Sequence, residues 1–277
     1  PIPEAVAPPQ GSWSYTQTQT TLMRAVKREG IGLHSGVTTT VTLHPAAPGH
    51  GRSFVRTDLP GQPTVLADLK AVSPTMLSTE LRQGEAAVRT VEHLLAALVG
   101  LGIDNVRIEI TGPEVPLLDG SALGWVEALR QAGRQVQAEP RPIARLSKPV
   151  TVTHGDAFVA AFPALSLRLT YGIDFEVAAI GNQWFSWTAE ADPFGPEGFT
   201  TAVAPARTFG LAHQIDQLRA SGLIQGGSLD NALVCGDEGW LNPPLRFDNE
   251  PARHKMLDLI GDLSLLGSLP IAHIVAY

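Results

Sequence analysis

The densest chemistry in this sequence lies in Arg253-His254-Lys255-Met256-Leu257-Asp258-Leu259-Ile260-Gly261-Asp262. Read as a helix, it stacks His254, Asp258 and Asp262 at i, i+4 and i+8, while Met256, Leu259, Ile260 and Leu263 face elsewhere. Polar side chains in a row on a greasy helix need a partner. An imidazole and a carboxylate one turn apart can hold a metal ion from the same side. The third donor must come from another part of the chain, and His93 is the best candidate. Over residues 90–98, Val91, Leu94, Leu95 and Leu98 repeat at helical spacing and leave Glu92 and His93 as the only ionisable groups. Either histidine alone would read as a core or cap residue, but with Glu92, Asp258 and Asp262 the pair points to a metal.

Two imidazoles and one carboxylate leave an open position on zinc, as a catalytic ion requires. Such an ion lowers the pKa of a water to about 7. Glu92, beside a ligand, is placed to take that water's proton. Asp262, one turn beyond Asp258, is suited to orient a neighbouring group. Lys255 can put positive charge near a developing oxyanion or a phosphate. Ferrous iron suits the same donors as zinc. His34, His44, His50, His154, His213 and His273 show no ligand-like spacing and are expected in surface or structural roles.

The elements that must position these groups follow from local pattern. The Glu92/His93 helix should stop at Gly100 and Gly102, and a second helix should run from a Ser121 cap to just before Gly133. Residues 38–43 and 105–110 read as strands. Pro140, Pro142 and Pro149 mark a connection over residues 137–149, with a boundary near Arg141. Strands are expected again at 150–153, 157–162 and 167–175, then helices at 211–221 and 251–266. Both halves run strands and then helices. The expected fold is therefore α+β, two similar layered domains over 20–140 and 141–277 with the site at their interface, although no residue-level repeat is evident. Residues 1–19, with Pro1, Pro3, Pro8 and Pro9, read as a loose tail.

At 277 residues, 44% hydrophobic and 17% charged, the composition is that of a soluble globular protein. A formal charge of −7 gives no general basic surface, so nucleic acid is not an expected partner. Cys235 is the sole cysteine, which rules out an internal disulfide and a Cys-rich zinc site and suits a reducing compartment. No stretch approaches the roughly 20 consecutive apolar residues of a membrane span, and residues 1–9 do not read as a signal peptide. A cytoplasmic monomer is expected.

Several motifs together resemble one family. Thr90-Val91-Glu92-His93, Ala206-Arg207-Thr208-Phe209-Gly210, Gly226-Gly227-Ser228 and the 253–262 stretch are similar to those of the UDP-3-O-acyl-N-acetylglucosamine deacetylases, zinc amidases of bacterial lipid A synthesis. Gly30-Ile31-Gly32-Leu33-His34-Ser35-Gly36, Thr75-Met76-Leu77-Ser78-Thr79, Gly102-Ile103-Asp104-Asn105 and Leu118-Asp119-Gly120-Ser121 match as well, so that the likeness runs in order from 20 to 277. The resemblance implies His93, His254 and Asp258 as zinc ligands, Glu92 as general base, and Thr208 as a partner of the oxyanion. Lys255 and Asp262 are implied to support them. It also implies a strand-helix-strand insert at about 209–234 forming an apolar passage for a fatty acyl chain. Contacts to the substrate are implied for Leu77, Ser78, Phe209, Leu211, Ile215, Ile224, Ala232 and Val234.

The implied reaction is hydrolysis of the N-acetyl amide of a UDP-linked, 3-O-acylated glucosamine with release of acetate, the committed step of lipid A synthesis. The alternatives are a non-catalytic binder of such a UDP-sugar lipid and a zinc amidase of another acylated substrate. The family's Lys-x-Gly-His stretch, whose histidine is regarded as the general acid oriented by the residue matching Asp262, would follow Tyr277. The expectation is therefore a chain truncated after Tyr277, the alternatives being that Glu92 makes both proton transfers or that the protein binds without efficient turnover.

Overall fold

The protein is described by a computed structural model covering residues 16–189 and 192–277. Two five-stranded sheets dominate. The first has the order Val26–Ile31, Thr38–Pro45, Val106–Ile110, Arg52–Arg56, Thr64–Leu66, and the second Val150–His154, Ala157–Pro163, Ala272–Ala276, Arg168–Asp174, Asn182–Thr188. Neighbours run antiparallel, antiparallel, parallel, antiparallel in both. This shared order and polarity is the duplication that the strand-then-helix pattern suggested. It is carried by topology rather than by repeated residues.

Each sheet alternates as a half-buried sheet must. Val41 and Leu43 are buried opposite Ile110 and Ile108, with Thr40 and Thr42 turned outward. Leu169 and Ile173 do the same in the second sheet, beneath helix α5 (Glu250–Leu263). Helix α1 (Glu92–Gly100) is packed on α5 and on α2 (Leu123–Ala132), so that helices fill the space between the sheets. A single turn, α3 (Phe199–Ala202), seals one end: a Cβ on Gly100 would enter the Phe199 ring. Trp125, Phe54, Phe199 and the leucines of α1 are fully buried, and each such side chain contributes about 1.5–3 kcal/mol of burial free energy.

Arg52 ties the two halves together. Its guanidinium, pushed down to about 10 by burial, donates to the carbonyls of Ser264 and Gly267 just beyond α5. Arg52→Met is expected to leave those carbonyls without this partner and to lower stability by about 1–3 kcal/mol, read as a smaller urea midpoint with an unchanged slope. An unchanged midpoint would show that the contact does not bind the halves.

Several expectations need correction. Most of the loose tail, residues 1–15, lies outside the described residues, but Thr18 and Gln19 belong to a strand, Thr18–Leu22, not to a tail. That strand pairs antiparallel with Arg134–Pro140, so part of the supposed connection at 137–149 is also strand. Two polar segments far apart in sequence each look like loop until they meet. The 211–221 helix is shorter than expected, α4 being Ile215–Ala220, because Phe209–Leu211 enters a parallel pair with Leu233–Gly236. The cap of α2 is Ala122, although the Ser121 hydroxyl still accepts the Leu123 N–H.

Candidate active site

The site forms where α1 and α5 approach most closely. A side chain at Gly261 would run into the backbone carbonyl of Glu92, so glycine is what lets the helices close. Closure brings His93 of α1 to His254 and Asp258 of α5, and one donor atom from each of the three lies within 4.8 Å of the others. His93 Nε2 stands 3.4 Å and His254 Nε2 3.5 Å from Asp258 Oδ1, and the two imidazoles meet edge to face at 4.9 Å.

This cluster fits a cation. His254 Nδ1 lies 3.0 Å from the Ala206 carbonyl, which makes Nδ1 the proton-bearing nitrogen and turns the Nε2 lone pair toward Asp258. Burial pushes His254 down to about 4, so the ring is neutral. Asp258 Oδ1 is buried and has no hydrogen-bond partner among the described residues, His93 standing off at 3.4 Å. Burial opposes ionisation of Asp258, but the Lys255 ammonium and His93 hold it well below the usual carboxylate range, with Lys255 Nζ 3.0 Å from Oδ2. Two electron-pair donors, His254 Nε2 and Asp258 Oδ1, thus face each other with no proton between them. A buried carboxylate oxygen left that way is costly unless a positive ion joins the donors.

Glu92 is only 6% exposed, and burial pushes its carboxyl up to about 7, with Asp258 and Asp262 adding to the effect and His93 opposing it. Burial likewise brings Asp262 up to about 6. Both border a cavity of about 770 Å³, together with Asp258, Lys255 and Thr208. Thr208 is pinned from both sides: its N–H donates to Gly120 and its carbonyl accepts from Leu233, each at 2.8 Å. The adjoining Arg207 donates to the buried Glu250 at the start of α5.

Away from these polar groups the wall is apolar. Leu77, Ser78, Phe209 and Leu211 line it, and so do Ile215, Ile224, Ala232 and Val234. The strand-helix-strand of Phe209–Leu211, α4 and Leu233–Gly236 supplies much of this wall. The structure therefore brings together every residue that the sequence singled out for the site.

It also adds residues that sequence reasoning missed. His34, assigned to a surface or structural role, is 2% exposed and borders the cavity. Its N–H and that of Ser35 donate to the buried Glu114, which also accepts the Thr90 hydroxyl, and this draws the loop inward. Burial lowers the His34 pKa. The glycines at 30, 32 and 36 around one histidine were the available signal of a tight loop. Thr79, Tyr171 and Phe175 also reach the cavity and carried no such signal.

The family model for UDP-3-O-acyl N-acetylglycosamine deacetylase matches residues 19–277. A UDP-3-O-acyl-N-acetylglucosamine deacetylase of Nostoc sp. is 58% identical over 261 residues, 94% of this chain and 92% of its own. That of Thermosynechococcus vestitus is 59% identical over 260 residues, 94% of this chain and 89% of its own. A relative in Arabidopsis thaliana, named as a probable mitochondrial deacetylase of the same kind, is 46% identical over 280 residues, 94% of this chain and 83% of its own.

Proposed function

The chain belongs to the family of UDP-3-O-acyl N-acetylglycosamine deacetylases, and on that footing we propose how its residues divide the work of the reaction. The protein is a hydrolase that removes the N-acetyl group of UDP-3-O-acyl-N-acetylglucosamine as acetate, in lipid A biosynthesis. The observation that carries the assignment of roles is the pair of unprotonated donors, His254 Nε2 and Asp258 Oδ1, facing each other 3.5 Å apart beside Glu92.

His93, His254 and Asp258 hold the metal. A zinc ion there supplies Lewis-acid polarisation of the acetyl carbonyl and a more acidic water, and ferrous iron suits the same donors. Glu92 takes the proton of the water as it attacks the acetyl carbon, and passes that proton to the amine nitrogen as the C–N bond breaks and acetate leaves. The Thr208 hydroxyl, held in place by the two backbone hydrogen bonds of its residue, donates to the oxygen that gains negative charge. Lys255 keeps Asp258 ionised and adds positive charge to the same side of the cavity. Asp262 is a supporting carboxylate on the wall.

The apolar stretch between Phe209 and Val234 receives the 3-O-acyl chain, with Leu77 and Ser78 also contributing to the wall. At about 0.8 kcal/mol per buried methylene, even four methylenes are worth roughly two orders of magnitude in kcat/KM. Acetate release by the metal-loaded protein should therefore favour the 3-O-acylated UDP-sugar over the unacylated one by at least about 100-fold. Equal rates would sink the acyl passage, and no acetate from either would sink the assignment of roles.

The three metal donors, with the buried Glu92 on the same cavity, support catalysis over mere binding. No helix among the described residues is long and apolar enough to cross a membrane, and with a single free cysteine we place the protein in the cytoplasm. We take the boundary between its two halves to lie near Arg141.

A further inference from the structure

Thr79 joins two carboxylates of the cavity. Its backbone N–H donates to Glu92 Oε2 at 3.1 Å, and its hydroxyl donates to Asp262 Oδ1 at 2.7 Å. Glu92 begins α1 and Asp262 lies near the end of α5, so one loop residue bridges carboxylates from both halves of the chain. The loop itself is held firmly. Arg89 donates from Nε to the Ser78 hydroxyl at 2.7 Å and from Nη2 to the Met76 carbonyl at 2.6 Å, and the Thr79 carbonyl accepts from Val91. Leu77, two residues earlier, holds φ at 62°, a left-handed conformation that a leucine keeps only when its surroundings impose it.

We propose that Thr79 is a positioning residue for the deacetylation, orienting Glu92 through its N–H and Asp262 through its hydroxyl. The proposal rests on the reading above, in which Glu92 is the general base. Three carboxylates, Glu92, Asp258 and Asp262, share one cavity with the Lys255 ammonium, which Asp258 already engages. Without a neutral donor, Asp262 would turn toward Lys255 and compete with Asp258 for it. The hydroxyl of Thr79 engages Oδ1 and keeps the carboxylate turned away. In the same manner the N–H engages Oε2 of Glu92 and leaves Oε1 for the water. A displacement of about 1 Å in such a group can cost on the order of 100-fold in rate.

Thr79→Val removes the hydroxyl and keeps the shape, while Thr79→Ser keeps the hydroxyl. In the full-length metal-loaded protein, Thr79→Val is expected to lower kcat by about 10–100-fold with KM within about threefold and metal content unchanged, and Thr79→Ser to stay within about threefold of the parent. A Val variant with the parent's kcat, a Ser variant as impaired as Val, or a loss of metal in step with kcat would each overturn the proposal. Crystal structures of the two variants give a readout that needs no turnover: the Asp262 carboxylate should hold its place in the serine variant and swing away in the valine variant. If it stays in place in the valine variant, Thr79 does not position it. If the parent protein releases no acetate, the assigned reaction fails, while the two variant structures still decide the role of Thr79.

Discussion

Glu92→Gln is expected to lower kcat for acetate release by about 10²–10⁴-fold, the range that a positioned general base commonly contributes. The substitution is nearly isosteric, and the amide oxygen can still accept the Thr79 N–H that now reaches Glu92 Oε2 at 3.1 Å. It removes a carboxylate that burial already disfavours, its pKa being pushed up to about 7, so folding should not suffer. Glu92 contributes no atom to the His93, His254 and Asp258 cluster, so metal content should stay that of the parent protein. The loss should fall on kcat rather than on KM, because proton transfer belongs to the transition state. Activity within tenfold of the parent would remove Glu92 from the role of base.

The second large effect is expected at the metal itself. Asp258→Asn keeps the size of the side chain and removes its charge, leaving His93 and His254 without their anionic partner and Lys255 without the carboxylate 3.0 Å away. Losing an outer partner of a metal ligand typically costs about 10–100-fold in affinity, and losing a ligand should cost more. After dialysis against a chelator and readdition of one equivalent of zinc, the parent protein should recover its ion and its activity, and the asparagine variant neither. Repeating the readdition with ferrous iron under anaerobic conditions tests whether the same three donors serve both metals. An asparagine variant that retains a full equivalent of metal would mean that Asp258 is not a ligand.

Two features escaped the sequence for a common reason, a partner distant along the chain. His34 was expected in a surface or structural role because nothing near it in sequence is a ligand, and Glu114, 80 residues on, is what pulls its loop into the cavity wall. Thr18 and Gln19 of the strand Thr18–Leu22 looked like tail because their partner, Arg134–Pro140, follows the whole first sheet in sequence. Neither segment has the apolar alternation that would announce a strand by itself.

What the sequence determined alone is whatever repeats within a few residues. The spacing of His254, Asp258 and Asp262 put them on one face of α5, the leucines around Glu92 and His93 announced α1, and β-branched residues at 38–43 with alternation at 105–110 announced two strands of the first sheet. These follow from the 3.6-residue turn and the two-residue pleat, which are properties of the local backbone. Only the tertiary structure decided that α1 and α5 meet at Gly261, that Asp258 Oδ1 faces two imidazoles with no hydrogen-bond partner among the described residues, and that Thr79 reaches Glu92 and Asp262. The Thr79 hydroxyl and Asp262 are separated by 183 residues, and no local period spans that distance. Their contact exists because both halves bury their apolar helix faces against one another, and burial, being non-directional, leaves no mark in sequence of which polar atoms it will bring together.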